Sequence, residues 1–326
     1  MAVRWVRVRR LLTKIVAALL GAWLALGTAT ALAQTKTGPS LESGFSPGQD
    51  VTVWPLEISQ GYPLVRGQVG DVKGVFMLDT GTPWGLLLNR ARVQLPDANF
   101  VLSGNTGSGE KLDVFKSARM PVLQLHGHAW RQVHDVHAAD LAFFEQGTGI
   151  GPFLGFIGAN FFANTALTLD YARRVAVIRK VQAKSGAPLV SLPPEFASDR
   201  QVASVHYRGD NPAFPVFDAL FGVTPVRVML DSGNQGISLD AAWLSELRTA
   251  GAAQPFSHVE AVTTYRAMPL HIVALTVPTV DIVASVEPAK VAGKPDPQLV
   301  RIGFPLLNRF GVTWNYQLQT LSFFTH

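Results

Sequence analysis

The chain of 326 residues has no cysteine, which excludes disulfides, thiolate metal sites and lipid attachment at cysteine. Charge is sparse as well. Asp, Glu, Lys and Arg make up 16% of residues against 48% hydrophobic ones, a composition that belongs to a globular protein. The formal excess of base over acid is confined to one place. Residues 1–33 contain Arg4, Arg7, Arg9, Arg10 and Lys14 but no acidic residue. Setting those five aside leaves 23 basic residues against 23 acidic ones, so no electrostatic argument for nucleic acid or anionic lipid survives. There is no Gly-Lys-(Ser/Thr) phosphate loop and no His-Glu-x-x-His pair. Neither Gly107-Ser108-Gly109 nor Asp231-Ser232-Gly233 has the Gly-x-Ser-x-Gly spacing of a nucleophile elbow.

What is present begins with an export pattern. The basic residues are followed by the apolar run Ile15 to Leu26 and then by Ala31-Leu32-Ala33 before Gln34, the order of a signal peptide at residues 1–33. The run falls short of the roughly 20 residues of a comfortable membrane span, which weighs against the rival reading as an uncleaved anchor. Arg9-Arg10 hints at twin-arginine export, though the flanking residues match poorly. The expected location is periplasmic or secreted, with membrane contact only if the segment stays uncleaved. Residues 34–50, rich in Gly, Pro and Ser, read as a flexible leader.

From Val51 onward, short apolar runs alternate with Gly, Pro, Asn and Asp every 8–12 residues, which predicts many short strands and an all-β fold. Val51–Val53, Val69–Val72, Val75–Leu78, Val122–Leu125 and Thr168–Tyr171 are the clearest. One short helix is expected over 241–250, capped by Asp240. Pro188, Pro193 and Pro194 mark a linker over 181–207, dividing the chain into units at 51–180 and 208–326.

The two units repeat one pattern. Met77-Leu78-Asp79 returns as Met229-Leu230-Asp231, with Gly70 and Gly222 nine residues before each acid. Met120-Pro121 pairs with Met268-Pro269, Ile157-Gly158 with Ile302-Gly303, and Tyr171 with Tyr316. The offset drifts only from 152 at the acids to 145 at Ile-Gly, so the chain is a duplication of one β-rich unit. An acid closing a buried strand is costly unless partners surround it. Its recurrence implies a protein organised around two carboxylates.

Asp79-Thr80-Gly81 and Asp231-Ser232-Gly233, each followed some 70–80 residues later by Ile-Gly, resemble the active-site motifs of the aspartic proteases. Each unit looks like a retropepsin-type lobe, and the tandem looks like the bilobal pepsin arrangement, with the site at the lobe interface. The resemblance implies a peptide or protein substrate, a water activated between Asp79 and Asp231, and no cofactor or metal. A monomer is expected because both lobes lie in one chain. Thr80 and Ser232 are expected to cross-link the two loops, while Gly81 and Gly233 let backbone approach the carboxylates. Gly158 and Gly303 would lie where a later strand threads beneath each loop. Thr82 is placed to donate to the outer oxygen of Asp79. Asn234 stands at the matching position with an amide able to donate, a departure from the family's usual small or hydroxyl residue; Pro83-Trp84 is a second departure. A flap is expected near Gly104, Asn105, Thr106 and Gly107, and Tyr265 of the second unit either contributes to the cleft or packs on its own strand. A peptide-binding protein without turnover is the alternative on the same scaffold. A third reading, a metal site at His126, His128, His134 and His137 with Asp135 and Asp140, lacks helical ligand spacing.

Overall fold

The computed structural model describes residues 49–325, apart from 107–109, 131–134, 183, 189–191, 194–195, 197, 208–212, 260–261, 279–280, 285–289, 292–293 and 296–297. The export segment, most of the leader, Gly107 and His134 therefore lie outside the described residues.

The fold is predominantly β, and its two large sheets share one strand order. In the first half the order is Asn99–Asn105, Lys111–Ser117, Val136–Ala139, Leu86–Asn89, Phe153–Gly158, Val72–Asp79, Tyr62–Val69, Leu123–Leu125, His128–Trp130. In the second it is Ala253–Val259, Val262–Ala267, Asp281–Ala284, Ile237–Leu239, Leu299–Ile302, Thr224–Leu230, Val216–Phe221, Leu270–Ile272, Leu275–Val277. The strand carrying Asp79 lies between an antiparallel neighbour, Tyr62–Val69, and a parallel one, Phe153–Gly158. A strand covered on both faces needs a continuous apolar run, which Val75 to Leu78 supplies.

Val69 to Val72, expected as a strand, is instead the turn of a hairpin in which Val69 pairs with Val72. Gly70 has φ +55° there, and its counterpart Gly222 has φ +58°. This left-handed region suits glycine, so the repeated glycine reports a repeated turn. The Met-Pro anchors meet these turns in space: Gly70 N–H donates to Val122 O at 3.0 Å, and Gly222 N–H to Pro269 O at 2.9 Å.

A third sheet joins the halves in the order Val51–Pro55, Val175–Lys180, Thr165–Asp170, Gly311–Asn315, Thr320–Thr325, Arg200–His206. Its central pair brings Thr168 directly opposite its own repeat counterpart Thr313, with the two hydroxyls 2.7 Å apart. The duplicated halves thus meet about an approximate two-fold axis, as identical subunits do in an isologous dimer. The linker expected over 181–207 is shorter than that, because Arg200–His206 forms the edge strand of this sheet against Thr320–Thr325. Ala203 and Val205, buried at alternate positions, supply the period-two pattern that holds it there.

The expected helix is Ala241–Thr249, and the Asp240 carboxylate accepts from Ala242 N–H and Trp243 N–H at its start. Among the described residues, no helix is long and apolar enough to cross a membrane. One apolar core runs through both halves and the joining sheet, including Trp54, Phe76, Leu78, Ile157, Leu230, Ile302 and Trp314. A second cluster lies on the other face of the first half, around Tyr62, Met77, Trp84, Phe144 and Phe156. On the second half a smaller cluster gathers Phe214, Val216, Met229 and Leu299.

Candidate active site

Each acid ends a central strand and opens a tight turn. Thr82 N–H donates to Asp79 O at 3.1 Å, and Asn234 N–H to Asp231 O at 3.1 Å. Gly158 and Gly303 carry the following segment beneath these turns. A Cβ added at Gly158 would lie 2.5 Å from Thr82 O, and one at Gly303 1.7 Å from Asn234 O. Only glycine permits that approach. Just after these glycines, Ala159 N–H donates to Thr82 O at 2.8 Å and Phe304 N–H to Asn234 O at 2.9 Å, fastening the turns from below.

Four hydrogen bonds then lock one turn to the other. Thr80 N–H donates to Ser232 Oγ at 2.9 Å, and Ser232 N–H donates to Thr80 Oγ1 at 3.0 Å. The hydroxyls pass the connection on: Ser232 Oγ donates to Leu78 O at 2.7 Å, and Thr80 Oγ1 to Leu230 O at 3.3 Å. Both side chains are buried, so these bonds are made where an unpaired group would be expensive. The cross-link sets the separation of Asp79 from Asp231.

The two carboxylates are each only 1% exposed and touch across the axis. A Cβ added at Gly81 would lie 2.5 Å from Asp231 Oδ1, and one at Gly233 2.5 Å from Asp79 Oδ1. Each carboxylate therefore packs on the glycine of the opposite turn. Asp79 accepts from Gly81 N–H at 2.9 Å on Oδ1 and from the Thr82 hydroxyl at 2.7 Å on Oδ2. Asp231 accepts from Gly233 N–H at 2.8 Å. The expected donation from Asn234 is not made. Its Nδ2 turns away to Ser238 Oγ at 3.3 Å and Arg301 O at 3.2 Å, while its Oδ1 accepts from Gly236 N–H at 3.2 Å. A longer side chain than threonine carries its amide past the carboxylate to these partners.

Burial and the adjacent Asp79 carboxylate hold Asp231 well above the usual carboxyl range, and the hydrogen bond between the two carboxyls adds to this. Burial raises Asp79 as well, but the Thr82 hydroxyl, the Asp231 carboxyl and the backbone N–H groups of Gly81 and Thr82 oppose it. Both carboxyls are thus raised by burial, and two this close cannot both ionise. Two phenols border the pair. Tyr62 and Tyr171 are raised first by burial and then by the negative charge of the acidic pair. The Tyr171 ring lies 6.1 Å from that of Phe304, beneath the second turn.

The remaining sequence-derived candidates fall elsewhere or remain partly outside the described residues. Gly104 and Asn105 end the strand Asn99–Asn105, and Thr106 begins its turn. Thr106 N–H donates to Glu110 O at 2.8 Å, Glu110 N–H returns to Thr106 Oγ1 at 3.0 Å, and that hydroxyl also bonds the Glu110 carboxylate. The hairpin is thus braced across its base. Tyr265 does not belong to a hairpin tip. Its hairpin turns between Val259 and Val262, and Tyr265 stands in the strand, paired with Pro255 and Ile282. Its ring packs on the core with the Arg248 guanidinium 5.2 Å above it.

Of the four histidines, His126 and His137 pack on different tryptophans. His126, at the turn of the Leu123–Leu125/His128–Trp130 hairpin, stacks on Trp54 at 5.8 Å between ring centroids. His137 is buried and stacks on Trp84 at 4.5 Å, with Nδ1 3.4 Å from Asp135 O. Trp84 is therefore an apolar plug behind the first turn. No group of three or more His, Asp or Glu able to hold a metal occurs among the described residues. A cavity of about 620 Å³ lined by Arg66, Gln68, Lys73, Gln124 and His126 shares no residue with the acidic pair.

Arg301, Tyr62 and the orientation of Asn234 escape sequence reasoning. Only Arg301 leaves a signal, as a charge in a strand whose repeat counterpart, Phe156, is aromatic. Neither a family model nor a curated protein matches the chain.

Proposed function

We propose that the protein is an aspartic-type endopeptidase, two retropepsin-like lobes in a pepsin-like arrangement that hydrolyse an extended peptide at their interface. The observation that carries this reading is the pair itself: two buried carboxyls in contact, related by an approximate two-fold axis. Like-charged carboxyls this close cannot both ionise. One is then available as base and the other as acid at the same pH, the division of labour that peptide hydrolysis needs.

In the proposed reaction a water held between the carboxyls gives its proton to Asp79 as its oxygen attacks the scissile carbonyl carbon. Asp231 delivers its proton to the carbonyl oxygen, and a gem-diol forms. Collapse of the diol breaks the C–N bond, one hydroxyl proton returning to the dyad and one dyad proton going to the departing nitrogen. The products are a carboxylic acid and an amine. No covalent intermediate and no metal are needed. Export rests on the basic, apolar and small-residue order of residues 1–33.

A second reading, a peptide-binding protein of little or no turnover, is favoured by Asn234 and by the unusual Pro83-Trp84 behind the first turn. The Asn234 amide faces Ser238 and Arg301, so Asp231 lacks the hydroxyl donor that Asp79 has. Peptide-library cleavage between about pH 3 and 7, the range a proton-sharing pair permits, separates the two. Endopeptidase activity is expected in the wild type, blocked by a statine-type inhibitor and lost in Asp79→Asn and Asp231→Asn. Cleavage that persists in both variants would refute the dyad. Peptide affinity without wild-type cleavage would establish the binder.

A further inference from the structure

In the first half, Phe156 stands in register between Met77 and Leu87, inside the apolar cluster behind Asp79. Its counterpart at the 145-residue offset is Arg301, in register between Met229 and Ser238. A guanidinium only 4% exposed replaces a phenyl ring. Taking such a charge out of water costs several kcal/mol unless a negative charge offsets it.

The register identifies where that offset lies. Side chains paired across neighbouring strands share a face, as do residues two apart along one strand. Arg301, Met229 and Asp231 therefore project from the same face, with Arg301 one strand away from the acid. Asn234 is tied to the same place, since its Nδ2 donates to Arg301 O and Ser238 Oγ. Where the first half gives Asp79 a hydroxyl donor at 2.7 Å, the second half sets a cation behind Asp231.

We propose that Arg301 is a positioning residue of the dyad, a buried fixed cation that substitutes for the missing hydroxyl donor and holds the pair in its singly ionised form. This rests on, and deepens, the endopeptidase reading. Among the described residues, the titratable groups in the field of the pair are Tyr62 from the strand Tyr62–Val69, Tyr171 beyond Thr165–Asp170, and Tyr316 beyond Gly311–Asn315. All three stay protonated, pushed up first by burial and also by the dyad charge, while Arg301 is a cation that opposes that charge. Burial lowers Arg301 itself to about 9, which leaves it charged throughout the acid range.

Two measurements test the assignment. In the first, Arg301→Met is expected to move the acid limb of the peptide-cleavage pH profile upward by about one pH unit, while Arg301→Lys, which keeps the charge, leaves the limb in place. A rate lowered equally at every pH, with the limb unmoved, would overturn the proposal. The second needs no substrate. By urea unfolding, the increase in the unfolding constant caused by Arg301→Met should be about tenfold larger at pH 6 than at pH 3. That pH dependence should vanish in an Asp79→Asn/Asp231→Asn background, where the pair is neutral. A pH-dependent cost that persists unchanged in the neutral background refutes the proposal. So does an Arg301→Met chain that stays unfolded in both backgrounds, whereas folding restored by the neutral dyad supports it. A wild type without proteolysis would sink the endopeptidase reading and leave this second measurement decisive for Arg301.

Discussion

Replacing Ser232 by alanine tests the cross-link that sets the distance between the carboxyls. The hydroxyl accepts from Thr80 N–H at 2.9 Å and donates to Leu78 O at 2.7 Å, and Ser232 is fully buried. Alanine leaves a donor of one half and an acceptor of the same strand without their partner. Each buried polar group stranded this way costs about 1–3 kcal/mol, so the change should destabilise by about 2–6 kcal/mol. Thr80→Val strands chiefly Ser232 N–H, because the hydroxyl's second contact, to Leu230 O, is long at 3.3 Å; about 1–3 kcal/mol is expected. Thr80→Ser keeps both hydrogen bonds and loses one methyl group, about 1 kcal/mol. Equilibrium urea unfolding should therefore rank the losses Ser232→Ala, Thr80→Val, Thr80→Ser. Peptide cleavage should fall most in the first two, where the turns are no longer held together. A Ser232→Ala protein within about 0.5 kcal/mol of wild type, the range of an ordinary surface change, would refute the reasoning. Equal losses for Thr80→Val and Thr80→Ser would do so as well.

Two further outcomes follow from the same geometry. Gly81→Ala and Gly233→Ala each drive a methyl to 2.5 Å from a carboxyl oxygen of the opposite half, well inside van der Waals contact. Both should abolish cleavage while far-UV circular dichroism still reports a β fold, and retention of more than a tenth of wild-type activity would contradict the packing. For Asp231, the folded-state pKa lies above the unfolded value, so its contribution is full below about pH 4 and declines as pH rises. The stability of Asp231→Asn relative to wild type should accordingly grow between pH 4 and 7, measured by urea midpoints, and a flat difference would show that folding does not raise the Asp231 carboxyl.

The duplication was legible because its anchors are residues that the backbone dictates. Gly70 and Gly222 sit at positive φ, and Gly158 and Gly303 sit where a Cβ would collide with a turn. Such positions tolerate little else, so they repeat in both halves and can be aligned by eye. The joining sheet was not legible. Its central pair, Thr168 with Thr313, is local in space but 145 residues apart in the chain, and no short-range pattern encodes it. The strand Arg200–His206 was lost for a related reason, since the prolines before it dominate the local signal while its partner is the C-terminal strand. Asn234 shows the limit for side chains. Sequence gives an amide that can donate, but the choice among Asp231, Ser238 and the Arg301 carbonyl depends on reach, and the longer side chain overshoots the acid. Tyr265 takes the second of its two expected places, packed on its own strand, since proximity to a hairpin does not fix which strand position a residue occupies.

His137 sets an acid limit on the whole arrangement. Its ring is buried against Trp84, the plug behind the first turn, and burial pushes the imidazole down to about 4 even with the Asp135 carboxylate opposing. The unfolded chain binds this proton near pH 6.5, the folded chain only near pH 4. The stabilisation is therefore complete above pH 6.5 and lost as pH falls toward 4, with a total of order 3 kcal/mol from the size of the shift. This runs opposite to the Asp231 contribution, which grows over the same descent. Acid then both favours the protonated dyad and charges the histidine stacked on Trp84, so the two effects bound a working range from either side. His137→Phe retains an aromatic surface for Trp84 and removes the titration. Its urea midpoint should fall less than that of the wild type between pH 6.5 and 4, and prolonged incubation below pH 4 should inactivate the wild type first. Parallel wild-type and variant profiles across that interval would mean that another group controls acid unfolding.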